Sequence, residues 1–398
     1  MVALRLTTLA LLLAASACAA DLDDDPAGAD ASTDDQDLPD DLVPLARVPF
    51  GPFDTLSESG LYSNIATKKV RGTAIAFQPE FKLWSDRSAK RRWIWIPPGL
   101  TIDTSNMGRW IIPVGTTAWK EFRDPDTGKR LETRIIQRLK NNACGTPPCF
   151  YYASFLWNAT DSEAYADTTR VGQPAVDIPD GCAVCASPPC DEYPDDCHVV
   201  PQATSATGTN GGECRRCHEG EPYRLLGFSA VQLSHDGPGN TLEDLAAQGL
   251  LSNPPPAGVD YRVPGTPVER RAIGALHANC GHCHYSGAGQ QNCYGLTGFQ
   301  TRVRPGDDTV EETLVWQTGV GRDLTYWVDD VEGNHTDPLI TRRIVPGDFQ
   351  SSAVWYRMSV REWGQPAPYN DHQQMPTVWT NEVDVEGLGA VELWIDSL

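Results

Sequence analysis

Two short stretches of this chain hold the residue types that chemistry needs, at matching spacing. The stretch "CRRCH" supplies Cys214, Cys217 and His218, and "CGHCH" supplies Cys280, Cys283 and His284. On one helical turn, two thiols spaced i and i+3 can each add to a vinyl group of the same haem. The following imidazole is then aimed at the iron as its proximal ligand. A lone C-x-x-C also suits a redox disulfide, half a zinc site or a short structural bridge. Two copies, each followed at once by histidine, in a chain that also carries export features favour c-type haem attachment. The expected cofactors are two covalently held haems c, with His218 and His284 as proximal iron ligands.

The export features lie at the N-terminus. Arg5 precedes the apolar run "LTTLALLLAASA", which is too short to span a bilayer and has a signal-peptide layout over residues 1–17. The small residues before Cys18 resemble a bacterial lipobox, which implies cleavage before Cys18 and lipidation of its thiol; ordinary secretory cleavage at "ASA" or "CAA" is the alternative. Residues 18–50 then read as a solvated acidic tether, with ten aspartates and no Lys or Arg over 21–41. The formal charge is −21, which argues against nucleic acid and anionic membrane surfaces as partners. Redox proteins are the expected partners, and any membrane attachment is by lipid alone. The expected location is the cell envelope, at the outer membrane or in the periplasm.

The elements that must position the two motifs follow from patterning. Residues 51–180 read as an antiparallel β-sandwich-like domain. "RLETRIIQRLK" alternates Leu131, Thr133 and Ile135 against Glu132, Arg134 and Arg138, and "RDPDTGK" signals a hairpin. Its tryptophans (Trp84, Trp93, Trp95, Trp110, Trp119 and Trp157) suit core packing, or a platform for stacking sugars. Residues 181–205 form a Cys-rich linker. There Cys182, Cys185, Cys190 and Cys197 suit two disulfides more than a metal cluster, and Cys144 and Cys149 bracket a turn they could bridge, leaving Cys293 over. Residues 206–262 and 263–398 make the first and second haem segments, mainly helical. Thr241 caps "LEDLAAQ"; Thr266 and Pro267 open a helix running into the second motif; "GAVELWIDSL" closes the chain as an amphipathic helix. The fold class is therefore multidomain α+β.

The words "LSESGLYSN", "FKLWSDRSAKRRWIWIP", "WIIPVGTTAWKEF", "LHANCGHCHYSG" and "IVPGDFQSSAVWYRM" resemble a family of exported bacterial dihaem c-type cytochromes that join a β-rich N-terminal region to two haem segments. The resemblance covers the chain from about Pro52 onward, apart from the Cys-rich linker and the stretch "GDDTVEETLVWQTGVGRDLTYWVDD". The second haem segment is also similar to a class I cytochrome c. That similarity implies Cys280, Cys283 and His284 for attachment, "VELWIDSL" as the closing helix and Met375 as the distal iron ligand. Met375 precedes Pro376 in a Pro-rich loop, whereas Met107 lies in the β region and Met358 suits a core; His372 is the competing ligand. For the first haem, with no methionine between Met107 and Met358, the distal candidates are His235, His198, His277 or none. His277 and His282, which flank or interrupt the second motif, read as solvent-facing or propionate-bonding.

Three functions fit these readings. The first is a lipid-anchored electron carrier that performs no substrate catalysis. The second is a dihaem peroxidase or oxidase with one open iron and a nearby acid–base group. The third is a cytochrome docked through a carbohydrate- or partner-binding β module.

Overall fold

The computed structural model describes residues 48–139, 150–167, 217–218, 220–221, 223, 225–286, 297–325, 340–361, 374–376, 380 and 382–398. The expected signal peptide, Cys18, the acidic tether, the Cys-rich linker, Cys144, Cys149, Cys293, Cys214, His198 and His372 lie outside the described residues.

Among the described residues eight strands precede the helices: β1 (Tyr62–Asn64), β2 (Lys69–Val70), β3 (Ile75–Ala76), β4 (Ala89–Trp95), β5 (Thr117–Arg123), β6 (Arg130–Arg138), β7 (Phe150–Trp157) and β8 (Ala164–Ala166). Strands β1 and β2 pair alone, while β3 to β8 form one antiparallel sheet in chain order. The sandwich expected from the alternation is thus a single six-stranded sheet. The reason is that chain outside the sheet supplies both covering layers. On one face Trp93, Trp95, Trp119, Ile135, Phe155 and Trp157 pack under Val48, Phe53, Leu56 and Leu61. On the other, Ile94, Phe150 and Tyr152 pack with Phe77 under Phe228, Leu233, Leu242, Leu245 and Leu251.

Alternation in β6 is therefore real, but its polar stripe does not face water. Glu132 is 6% and Arg138 5% exposed. Five of the tryptophans, Trp93, Trp95, Trp110, Trp119 and Trp157, are buried in these cores, so they offer no surface on which a sugar could stack.

The helices are α1 (Ala230–Leu233), α2 (Leu242–Ala247), α3 (Pro267–Cys280), α4 (Leu314–Gly319), α5 (Ala353–Ser359) and α6 (Val385–Asp396). Both expected caps form. Thr241 and Thr266 accept from the amides of Asp244 and Glu269, whose carboxylates reach back to the cap amides, and Pro267 opens α3. Helices α3 and α6 bury Ala272, Ile273 and Leu276 against Ala390, Val391, Trp394 and Ile395, and Met358 of α5 lies in the same core. Among the described residues no helix is long and apolar enough to cross a membrane.

The segment after the first motif, expected to stand apart from the β region, shares one core with the sheet instead: Tyr223 to Leu251 pack on Phe77, Ile94 and Tyr152. The chain between β3 and β4 also clamps the second motif's helix. Trp84 donates its backbone N–H to Asn279 at 2.6 Å and its indole N–H to the Glu382 carbonyl at 2.9 Å. The Phe81 ring sits where a Cβ on Gly274 would lie, within 2.1–2.4 Å. Gly274→Ala should therefore destabilise the full chain by about 1–3 kcal/mol through overpacking. Gly389→Ala in α6, where nothing lies within 4 Å, should stabilise it by about 0.5–1 kcal/mol. Urea midpoints of the two variants should move in opposite directions.

Candidate functional site

Helix α3 delivers the second motif. It ends at Cys280, and the amides of Cys283 and His284 both donate back to the Cys280 carbonyl, at 3.0 and 2.8 Å. That extra turn sets Cys280 and Cys283 on neighbouring positions, as paired attachment requires. Cys280 is a free thiol. Burial pushes the Cys280 thiol up to about 12, the reverse of the lowered pKa that marks a reactive C-x-x-C thiolate. The His284 imidazole is buried and meets Phe299 edge-on at 5.5 Å. Its Nδ1 is enclosed without a hydrogen-bond partner of normal geometry. Burial lowers its pKa to about 4, which the Phe299 backbone opposes only in part. A neutral imidazole results, the form that binds a metal.

Of the first motif, Cys217 and His218 are described. They reach a cleft holding about 1180 Å³ of empty space, its open mouth included. The β4–β7 sheet face is its floor, through Arg92, Ala118, Lys120, Ile136 and Tyr152; Trp84, Asn279, His282 and Pro376 approach from the other side. The Tyr152 ring stands edge-on to His218 at 6.5 Å. The cleft has thiol, imidazole and apolar wall around one open-mouthed space, so its residues fit a flat, largely apolar group attached through Cys217.

The two motifs touch. A Cβ on Gly220 would fall 1.7 Å from the His282 carbonyl oxygen, so only glycine permits this approach of backbones. Beside it, Arg302 grips Glu221 with two bonds, at 2.6 and 3.0 Å, while its guanidinium lies over the Tyr285 ring at 5.1 Å. The salt bridge thus ties the residue three after His218 to Arg302, whose guanidinium also covers Tyr285, the residue one after His284.

The remaining histidines sort by geometry. His282, expected to face solvent or a propionate, is 6% exposed and lines the cleft of the first motif. Its ring hydrogen-bonds the Ala278 backbone, and burial lowers its pKa to about 4. His277 is likewise buried: its Nδ1 accepts from the Val303 amide at 3.1 Å, and burial lowers its pKa to about 3. His235 is placed away from the cleft lining. Its Nε2 lies 2.6 Å from the Gln78 carbonyl oxygen and its Nδ1 accepts from Gly237 at 2.9 Å, so both nitrogens are engaged.

Among the methionines, Met358 is core, and Met107 receives the Trp110 indole N–H at 3.3 Å. Met375 is half-buried, donates its amide to the Arg357 carbonyl at 2.7 Å, and precedes Pro376 at the cleft. The charge of Arg357 is one of those that lower His284, so the loop runs on the second motif's side. Among the described residues no group of three or more His, Cys, Asp or Glu could hold a metal ion by itself.

Pattern reading missed the cleft floor. Arg92, Lys120 and Arg134 stand directly opposite one another on β4, β5 and β6. The signal was present: each lies two residues, along its own strand, from an apolar residue of the same face, Ile94, Ala118 or Ile136. Comparison with protein-family models, with curated proteins and with solved structures finds no match to this chain.

The buried neutral histidines make a pH prediction. His277 titrates at about 3 in the folded chain against 6.5 when unperturbed. The unfolded state therefore binds more protons between these values, and stability falls as pH drops through that window. The slope from this one group reaches at most about 1.4 kcal/mol per pH unit. His277→Gln, which keeps an acceptor for Val303 but does not titrate, should show a shallower loss of urea midpoint from pH 6.5 downward.

Proposed function

We propose that this chain is a covalent dihaem c-type cytochrome that transfers electrons outside the cytoplasm, of the exported β-plus-dihaem kind its sequence resembles. The observation that carries the reading is that Cys217 and His218 of one C-x-x-C-H segment share a cleft with His282 of the other, while Gly220 packs on the His282 backbone. When bound, haem supplies a reversible one-electron iron couple. Cys214 and Cys217, and Cys280 and Cys283, are the attachment pairs; His218 and His284 are the proximal imidazoles. The floor of β4–β7 and the α3–α6 core line the two sites, and burial keeps the His284 imidazole neutral. The Gly220–His282 contact and the Arg302–Glu221 bridge hold the two attachment turns in fixed relation, which a path for electrons between them requires.

In this reading Met375 is the distal ligand of the second haem, and its soft thioether raises that potential. The imidazole offered to the first haem is His282, since both nitrogens of His235 are taken by the Gln78–Gly237 turn. Cys18 is the lipid attachment point, the envelope is the location, and basic patches on redox proteins are the partner surfaces for so acidic a chain. The peroxidase reading differs at one point: it needs the first iron open, with no His282 bond.

Intact mass of chain matured with functional haem attachment should show two added haems that acid–acetone does not extract. The Cys280→Ala/Cys283→Ala pair should carry one. A mature chain with no haem would overturn the reading.

The ligand assignment has its own readout. Electron paramagnetic resonance should find both ferric haems low-spin. His282→Ala should convert one to high-spin and open it to carbon monoxide, while His235→Ala leaves it unchanged. Met375→Ala should lower the other haem's potential and abolish its weak sulfur-to-iron charge-transfer band. A high-spin first haem in the unaltered chain would instead favour the enzyme reading.

A further inference from the structure

We propose that Arg92 and Lys120 form a carboxylate-binding wall in the cleft beside Cys217 and His218, there to hold the acidic edge of the group attached at the first motif. The inference rests on the haem reading above and adds to it the part of the site that the sheet supplies.

The sheet register makes the case. Arg92 pairs directly with Lys120, and Lys120 with Arg134, so three cations stand side by side across adjacent strands on one face. Like charges directly opposite in a sheet are destabilising, and these are also withdrawn from water: Arg92 is 6% exposed and Lys120 half-buried. Arg134 is answered by a two-pronged bond to Glu132, at 2.7 and 2.9 Å. Neither Arg92 nor Lys120 has an ion pair among the described residues. Among the described residues Lys120 meets the face of the Phe122 ring, 4.9 Å away.

The opposite face of the same sheet is balanced. Buried Glu121 there receives Tyr62, Arg123 and Arg130 at 2.8, 2.6 and 3.0 Å. Charge on the cleft side is thus left over in one place, and both unanswered cations line the cleft that Cys217 and His218 reach. Burial, then repulsion from Arg92, Lys90 and Arg134, holds the Lys120 ammonium far below the ordinary lysine range, and burial lowers Arg92 to about 10. An anion between them would reverse both effects. The guanidinium fork presents paired donors and the ammonium a point charge, which together match carboxylate oxygens. A carboxylate can come from two sources here: the propionate of an attached haem, or a small free acid entering the open mouth.

Lys120→Gln, Arg92→Gln and the charge-keeping Lys120→Arg should be made in the full, haem-loaded chain. With a propionate as occupant, each Gln variant lowers one of the two midpoint potentials, because a cation near that iron is gone; Lys120→Arg retains it. Acetate or succinate added to the unaltered chain then gives no saturable spectral change. With a free acid as occupant, the unaltered chain shows saturable perturbation by acetate or succinate that Lys120→Gln loses at least tenfold in affinity. Unchanged potentials in both Gln variants, with no saturable acid binding, overturn the wall. If the mature chain carries no haem, the functional reading fails separately. The same acid titration, followed by fluorescence of Trp84 at the cleft, then decides: saturable binding lost in Lys120→Gln keeps the wall, and none removes it.

Discussion

The backbone of Gly220 lies so close to the carbonyl of His282 that no side chain fits between them, and the rest of the site is arranged around that contact. It brings together two turns that the chain makes far apart. Arg302 and Glu221 secure the junction with a two-pronged bond sheltered from water, with the Arg302 side chain 8% exposed. Breaking such a pair by removing one partner costs about 3–5 kcal/mol, because the other charge is left buried alone. The junction therefore resists partial opening, and the distance between the motifs is a property of the folded chain, not of either motif.

Supporting that junction is a sheet used on both faces for different ends. One face is closed by tryptophan packing, and its buried carboxylate, Glu121, is fully answered by Tyr62, Arg123 and Arg130. The other is half core and half cleft. Ile94, Phe150 and Tyr152 bind the helical segment, while the strand positions carrying Arg92 and Lys120 border empty space. Trp84 and Phe81, from the chain that joins β3 to β4, reach across to Asn279 and Gly274. The β region is thus a structural wall of the first site and a clamp on the second.

Electrostatics follow the same division between inside and outside. The chain as a whole is strongly acidic, yet the cleft floor is cationic and the buried imidazoles are held neutral by desolvation. A cationic floor in a chain of net negative charge favours a bound anion in the cleft.

Local structure was legible in the sequence. The spacing of Cys280, Cys283 and His284 suits a helical turn, and a hydrogen-bonded turn just past the end of α3 supplies one. Thr241, Thr266 and Pro267 mark helix starts because orphan amides there need acceptors, and all three do so. Met358 reads as core from its surroundings, and it is core. Such features depend on residues within a turn or two of each other. Tertiary structure decided what depends on distant chain: that Glu132 and Arg138 of β6's polar stripe are buried while Arg134 lines a cleft, that the first motif's segment shares the sheet's core, and that His282 meets that cleft while His235 is spent on a turn. Alternation along a strand states that two faces differ, but which one meets solvent is set by whatever packs there. For Arg92 and Lys120, that is in large part chain folded back from far along the sequence, at Cys217, His218, Asn279 and His282.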